Sequence, residues 1–215
     1  MNVGGVIVGT IAAVFGAVVW AAIFYYGNME IGYLAWGIGL LVGLGVSAGS
    51  RSGGIGAAAI AIILTVLSIL SGKYAAVHLA IDNIINKTVA EIQFDDNSIM
   101  MDLAEKAVVD AEAAGETLEF RNGTNTDDAA RLEDYPETIL KQVIEEFASM
   151  TEQEKQKSKD SLEKSFHTNI AEAKTMLIQE GFMASFSPFD ILFFILGIFT
   201  AGKVALSDVV DLIDE

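Results

Sequence analysis

Residues 3–26 read VGGVIVGTIAAVFGAVVWAAIFYY, 24 positions without one charge. A helix of that length measures about 36 Å, more than the ~30 Å hydrocarbon core of a bilayer. The pattern then repeats, for residues 31–50 and 52–72 are also uncharged. A soluble domain carries about 25% charged residues mixed throughout. Here they make up 20% of 215 residues and are segregated, so the fold class expected is an all-α polytopic membrane protein. A signal peptide is the rival reading of the first run. It fails because no Lys or Arg precedes the run, the run is too long, and another follows at once.

Three spans are expected within residues 1–73, at about Val3–Tyr26, Ile31–Ala48 and Ile55–Gly72. They are joined by tight turns at Gly27–Glu30 and Gly49–Gly54. Residues 184–215 hold a fourth span, about Pro188–Leu206, and an acidic tail. Only Ile191–Gly202 of this span is uncharged, so an interfacial or re-entrant helix is the alternative. In its favour, Ser187-Pro188-Phe189-Asp190 is a helix start, with Pro and an acid in the first turn. Lys203 near the other end can snorkel to the interface. Trp20, Tyr25, Tyr26, Trp36 and Tyr74 fall where interfacial aromatics belong.

Between the third and fourth spans, residues 74–183 carry 23 acidic and 10 basic side chains and form a helical extramembrane domain. Tyr74–Ile92 continues the third span as a stalk. Helices are expected over Ser98–Ala114 with Gly115 as its stop, Asp127–Glu133, Pro136–Met150, and from the capping box Thr151-Glu152-Gln153-Glu154 to about Gln179. On the last of these, Leu162, Phe166, Ile170, Ala173 and Leu177 draw an apolar stripe that must pack on another helix or subunit.

Small residues recur at every fourth position inside the spans. Gly5, Gly9, Ala13, Ala17 and Ala21 mark the first; Ala35, Gly39, Gly43 and Ser47 the second. Ala57, Ala61 and Thr65 mark the third, and Gly197, Ala201 and Ala205 the fourth. Lipid gives helices no hydrophobic drive to associate, so close backbone approach along such stripes supplies the contact instead. The stripes serve packing within one bundle, or between subunits of a homo-oligomer.

Other chemistry is thin. A net charge of −16 argues against nucleic acid or anionic lipid as partner, and the absence of Cys removes thiolate chemistry. No ionisable side chain sits mid-span, as proton relays and coupled transport need. Gly49–Gly56 lacks the order of a phosphate loop. Asp95-Asp96-Asn97 and Asp127-Asp128 precede helices, where such residues cap, and lack the spacing of a calcium loop. His78 and His167 stand apart, and no cofactor fingerprint or catalytic triad is present, so no cofactor, metal site or enzyme activity is expected.

The stretch 31–43, IGYLAWGIGLLVG, taken with Ser187-Pro188-Phe189-Asp190, resembles uncharacterised bacterial multi-span inner-membrane proteins. The resemblance lies in the spans; it implies a bacterial inner membrane and a role for no particular residue.

The function expected is therefore a non-enzymatic membrane protein that assembles with itself through its small-residue stripes. Its partners are the bilayer, further copies, and another protein reached through residues 74–183 in an interaction or sensing role. The alternative is a homo-oligomeric channel whose acidic domains concentrate cations. Arg51 and Lys203 mark the cytoplasmic side by the positive-inside rule, which sets residues 74–183 outside; Lys73 and Lys174 count against it.

Overall fold

The computed structural model describes residues 3–27, 32–50, 53–125 and 128–207. The Glu30 and Arg51 turns, Asp127 and the acidic tail from Asp208 lie outside the described residues. The chain is all-α, with helices α1 (Val3–Gly27), α2 (Tyr33–Ser50), α3 (Ile55–Glu91), α4 (Asp96–Ala113), α5 (Glu137–Ser149), α6 (Glu152–Ala184) and α7 (Pro188–Leu206). Helices α1, α2, α3 and α7 are long and apolar enough to cross a membrane, and α4–α6 lie between the third and fourth. This is a helical membrane protein.

The chain divides into two units, residues 1–87 with 173–215, and residues 88–172. In the first, α2 packs between α1 and α7, and α3 lies against both of those. Glycine decides how close these helices come. A Cβ built on Gly39 would fall 2.6 Å from the Cα of Gly197, so α2 and α7 touch backbone to backbone. Gly43 meets Ala201 one turn further on, and Trp36 Nε1 donates to Thr200 Oγ1 at 3.1 Å. Gly9 of α1 faces Val46 of α2 and Leu64 of α3, while Gly16 faces Ile38 and Ser68. Ser68 Oγ donates to the Ala13 carbonyl at 2.6 Å, a bond worth having where no water competes. The interior is filled by Val42, Val46, Ala61, Ile69, Ala76, Ala201 and Ala205.

The second unit has a core of its own. Ala104, Ala107 and Val108 of α4 pack against Tyr135, Ile139 and Val143. Asp95 caps α4 by accepting from Ser98 N at 3.0 Å. Gly115, at φ +81, ends it, with Glu116 N donating to the Ala111 carbonyl at 3.0 Å. Thr151 and Glu154 close the expected capping box of α6. Lys159 reaches Asp96 at 2.8 Å, and the Phe94 and Phe166 rings meet edge to face at 5.5 Å.

Two expectations need correction. Over Asp128–Glu133, the described part of the expected Asp127–Glu133 helix, no α-helix forms, and a short 3₁₀ turn begins at Leu132 and runs to Asp134. Arg131 N donates to the buried Asp134 carboxylate at 3.1 Å, which tightens the chain there instead of extending a helix. On α6 the inward row runs Leu162, Phe166, Ile170, Lys174 and Ile178, while Ala173 and Leu177 face out. Lys174 belongs inside because its ammonium pairs with Asp82 at 2.6 Å, so its stem takes an apolar position.

Candidate functional site

Lys73 follows the uncharged run of α3 without a break in the helix, and so is carried on the face that packs on α1 and α7. Asp190 is the third residue of α7. It sits in a reciprocal cap: Asp190 N donates to Ser187 Oγ at 3.1 Å, and Asp190 Oδ2 accepts from Ser187 N at 3.0 Å and Ser187 Oγ at 2.9 Å. Lys73 Nζ lies 3.3 Å from the same Oδ2, with side-chain exposures of 2% for Lys73 and 7% for Asp190. The ammonium also donates to the Ser185 carbonyl. It lies 5.5 Å from the centre of the Trp20 ring and 4.9 Å from that of Phe186. One Lys thus contacts α1, α7 and the α6–α7 junction.

A charge removed from water costs several kcal/mol unless paired and hydrogen-bonded, and in membranes such residues mark functional positions. Here both charges are satisfied. Asp190 Oδ2 receives three donors, and two aromatic faces flank the ammonium. The pair fastens α3 to α7. Beside it, a Cβ built on Gly32 would lie 2.8 Å from the Phe193 ring and 3.4 Å from Asp190 Oδ1, so the start of α2 closes over the pair.

No family model, curated protein or solved structure matches this chain. Its own geometry therefore carries the functional argument.

The small residues singled out in the sequence lie at the contacts just described. Gly5, Gly9, Ala13 and Ala21 are buried within the chain, Ala17 half so. Ala35, Gly39, Gly43 and Ser47 are buried on α2, and Gly197 and Ala201 on α7. The face of α1 is not a strict row of fours, since Gly16 and Trp20 join it. Four residues turn a helix about 40° too far, so a step of three restores the face. Tyr25, Tyr26, Trp36, Tyr74 and Lys203 are exposed at the bundle ends or flanks. Trp20 turns inward instead, 3% exposed, with its Cβ against Gly72 and its ring beside Lys73.

Sequence reasoning missed the Lys73–Asp190 pair. The available signal was one cation and one anion, each at the border of an apolar run. Elsewhere, a groove of about 790 Å³ between α1 and α3 is lined by Val14, Ala17, Val18, Leu67 and Ser71 and carries no charged side chain. A polar cleft of about 610 Å³ in the second unit is bordered by Asp102, Lys106, Glu146, Glu154 and Lys157, with Lys106 paired to Asp102 at 2.5 Å.

Proposed function

We propose that this chain is a non-enzymatic membrane scaffold whose tight span bundle holds an acidic helical unit available to a protein partner. The observation that carries the reading is the separate core of residues 88–172. Val108, Tyr135, Ile139 and Val143 fill that core, and apart from the buried Asp134 and half-buried Asp102 the unit's described acids are exposed. Asp110, Glu112, Glu116 and Glu119 are exposed along a stretch, 107–120, that contains no basic residue. The fitting partner carries a basic face, and steering by such a surface weakens with salt.

Self-association through the small-residue stripes loses its support, since α2, α3 and α7 cover them within one chain. Those stripes serve the bundle itself. The packed row of Val42, Val46, Ala61, Ile69 and Ala201 also favours a scaffold over a pore through the bundle. We further assign the chain to a bacterial inner membrane with residues 74–183 outside.

Cross-linking in native membranes tests the partner. Charge reversal at Glu112, Glu116 and Glu119 together should abolish a partner adduct that the parent chain gives; an unchanged adduct overturns the acidic-face reading. Selective cation flux through the purified protein in sealed liposomes, above that of empty ones, would overturn the scaffold in favour of a channel.

A further inference from the structure

We infer that the bilayer on the Lys73 side reaches past the ion pair, and that the last turns of α6 and the adjoining part of α3 rest against lipid in the headgroup layer. Three observations meet here. The first is length. Lys73 is 18 residues beyond the start of α3 at Ile55. That is about 27 Å of helix against a ~30 Å core, which extends to about Ala75, and tilt carries the boundary further along the chain. The headgroup layer adds roughly 5–7 Å, reaching about Leu79. The second is α1, whose Trp20 ring lies beside Lys73 and which continues uncharged to Gly27, about 10 Å further along.

The third observation is surface chemistry. Gly181 brings α6 onto α3, where a Cβ would meet Val77 Cγ1 at 3.0 Å, and the Phe182 and Tyr74 rings stack edge to face at 5.9 Å. The outward side of this helix pair is bare and mixed: Leu79 is 44% exposed, Met176 64% and Met183 68%, with Gln179 and Glu180 exposed beside the two methionines and Tyr74, 50% exposed, at the edge of the contact. It continues the outward apolar surface of the spans, through Leu67 on α3 and Phe189 on α7. Glu180, the one acid on this part of α6, falls at headgroup depth, where charge is tolerated. The next polar ring outward is His78, Asp82 and Lys174, with contacts of 3.1 Å and 2.6 Å to Asp82. The partner of the bare face is thus the interfacial layer of the bilayer. The fourth crossing is completed by the end of α6 as well as by α7, with its break at Ser185–Ser187 and the Lys73–Asp190 pair at the break.

The chain contains no Cys, so single substitutions give unique labelling sites. Leu79→Cys, Met176→Cys and Met183→Cys, with Phe189→Cys on α7 and Asp160→Cys on the second unit for reference, would each carry an environment-sensitive fluorophore in liposomes. Lipids brominated high on their acyl chains should quench the first four several-fold more strongly than the Asp160 label, and aqueous iodide should do the reverse. The inference rests on the membrane reading, and the Phe189 label separates the two. If Phe189 is quenched by brominated lipid while Leu79, Met176 and Met183 follow Asp160, the inference is overturned and α7 remains a span. If Phe189 also follows Asp160, both fall.

Discussion

Lys73 and Asp190, 117 positions apart in the chain, meet as a buried pair with Nζ 3.3 Å from Oδ2. Removing one partner leaves the other charged and buried, which costs about 3–5 kcal/mol, whereas an apolar or neutral replacement of both is close to neutral. Lys73→Met and Asp190→Asn should each lower the thermal unfolding temperature of the detergent-solubilised protein markedly. The double variant should recover most of the loss. A double variant as unstable as the sum of the singles would show that the two do not act as a pair.

The contact of α2 with α7 makes a sharper steric prediction. At Gly39 even a methyl group meets backbone, which cannot step aside as a side chain does. Gly39→Ala should therefore destabilise the bundle by at least about 1–3 kcal/mol. Gly37, two residues earlier, has open space around its Cβ position. There the same change should stabilise, by about 0.4–1 kcal/mol, because it reduces the freedom of the unfolded chain. Unfolding curves of the two variants side by side would separate packing from backbone entropy.

Trp36→Phe removes the donor to Thr200 Oγ1 while keeping an aromatic ring at the α2–α7 contact. Hydrogen bonds between membrane helices average about 0.6 kcal/mol. The expected loss is of that order, and Trp36→Phe combined with Thr200→Val should cost no more than the single change.

The second unit should weaken in acid. The backbone and hydroxyl of Ser98 hold the Asp95 carboxyl below the usual carboxylate range, and those of Thr151 do the same for Glu154. Lys141 first, then Arg121, lower Glu137. A carboxyl lowered in the folded state stabilises above its unfolded pKa of about 4 and loses that contribution as the pH falls through the folded value. Lys159 is raised by Asp96, so its contribution is lost at the opposite end, as the pH climbs above about 10. Hydrogen exchange across residues 88–172 of the full chain should show protection lost between about pH 5 and pH 3.

Ile139 is buried in the core that α4 and α5 share. Truncation to Ala leaves a cavity, and Ile139→Ala should cost about 2–5 kcal/mol. Amide exchange should quicken throughout residues 88–172 and leave the protection of α2 and α7 at the parental level.

Local chemistry was readable wherever it is short-range. The fourth span begins and ends at Pro188 and Leu206, as its Pro and first-turn acid indicate, and Gly115 and Thr151 mark real helix boundaries. Uncharged length alone located the spans. Long-range partnership was not readable: nothing in the sequence around Lys73 or Asp190 names the other, because their meeting depends on how α3 and α7 pack. Trp20 shows the same limit. Its position near the end of an apolar run matches an interfacial ring, yet the space left by Gly72 draws it inward. Over Asp128–Glu133 the acids find local partners instead of helix positions: Asp128 bonds to Asn125, Glu133 pairs with Arg131, and Asp134 closes the turn that follows.

The backbone contact between Gly39 and Gly197 also has a meaning in time. Some 137 residues separate the end of α2 from the start of α7. At bacterial or eukaryotic synthesis rates of about 5–20 residues per second, roughly 7–27 s pass between their emergence. For that interval the glycine face of α2 stands without the helix that completes it, and for the later part of it Lys73 stands without Asp190. The nascent bundle is a three-helix intermediate with a vacant edge, and α7 arrives last to fill it. A chain arrested before residue 188 keeps that edge open.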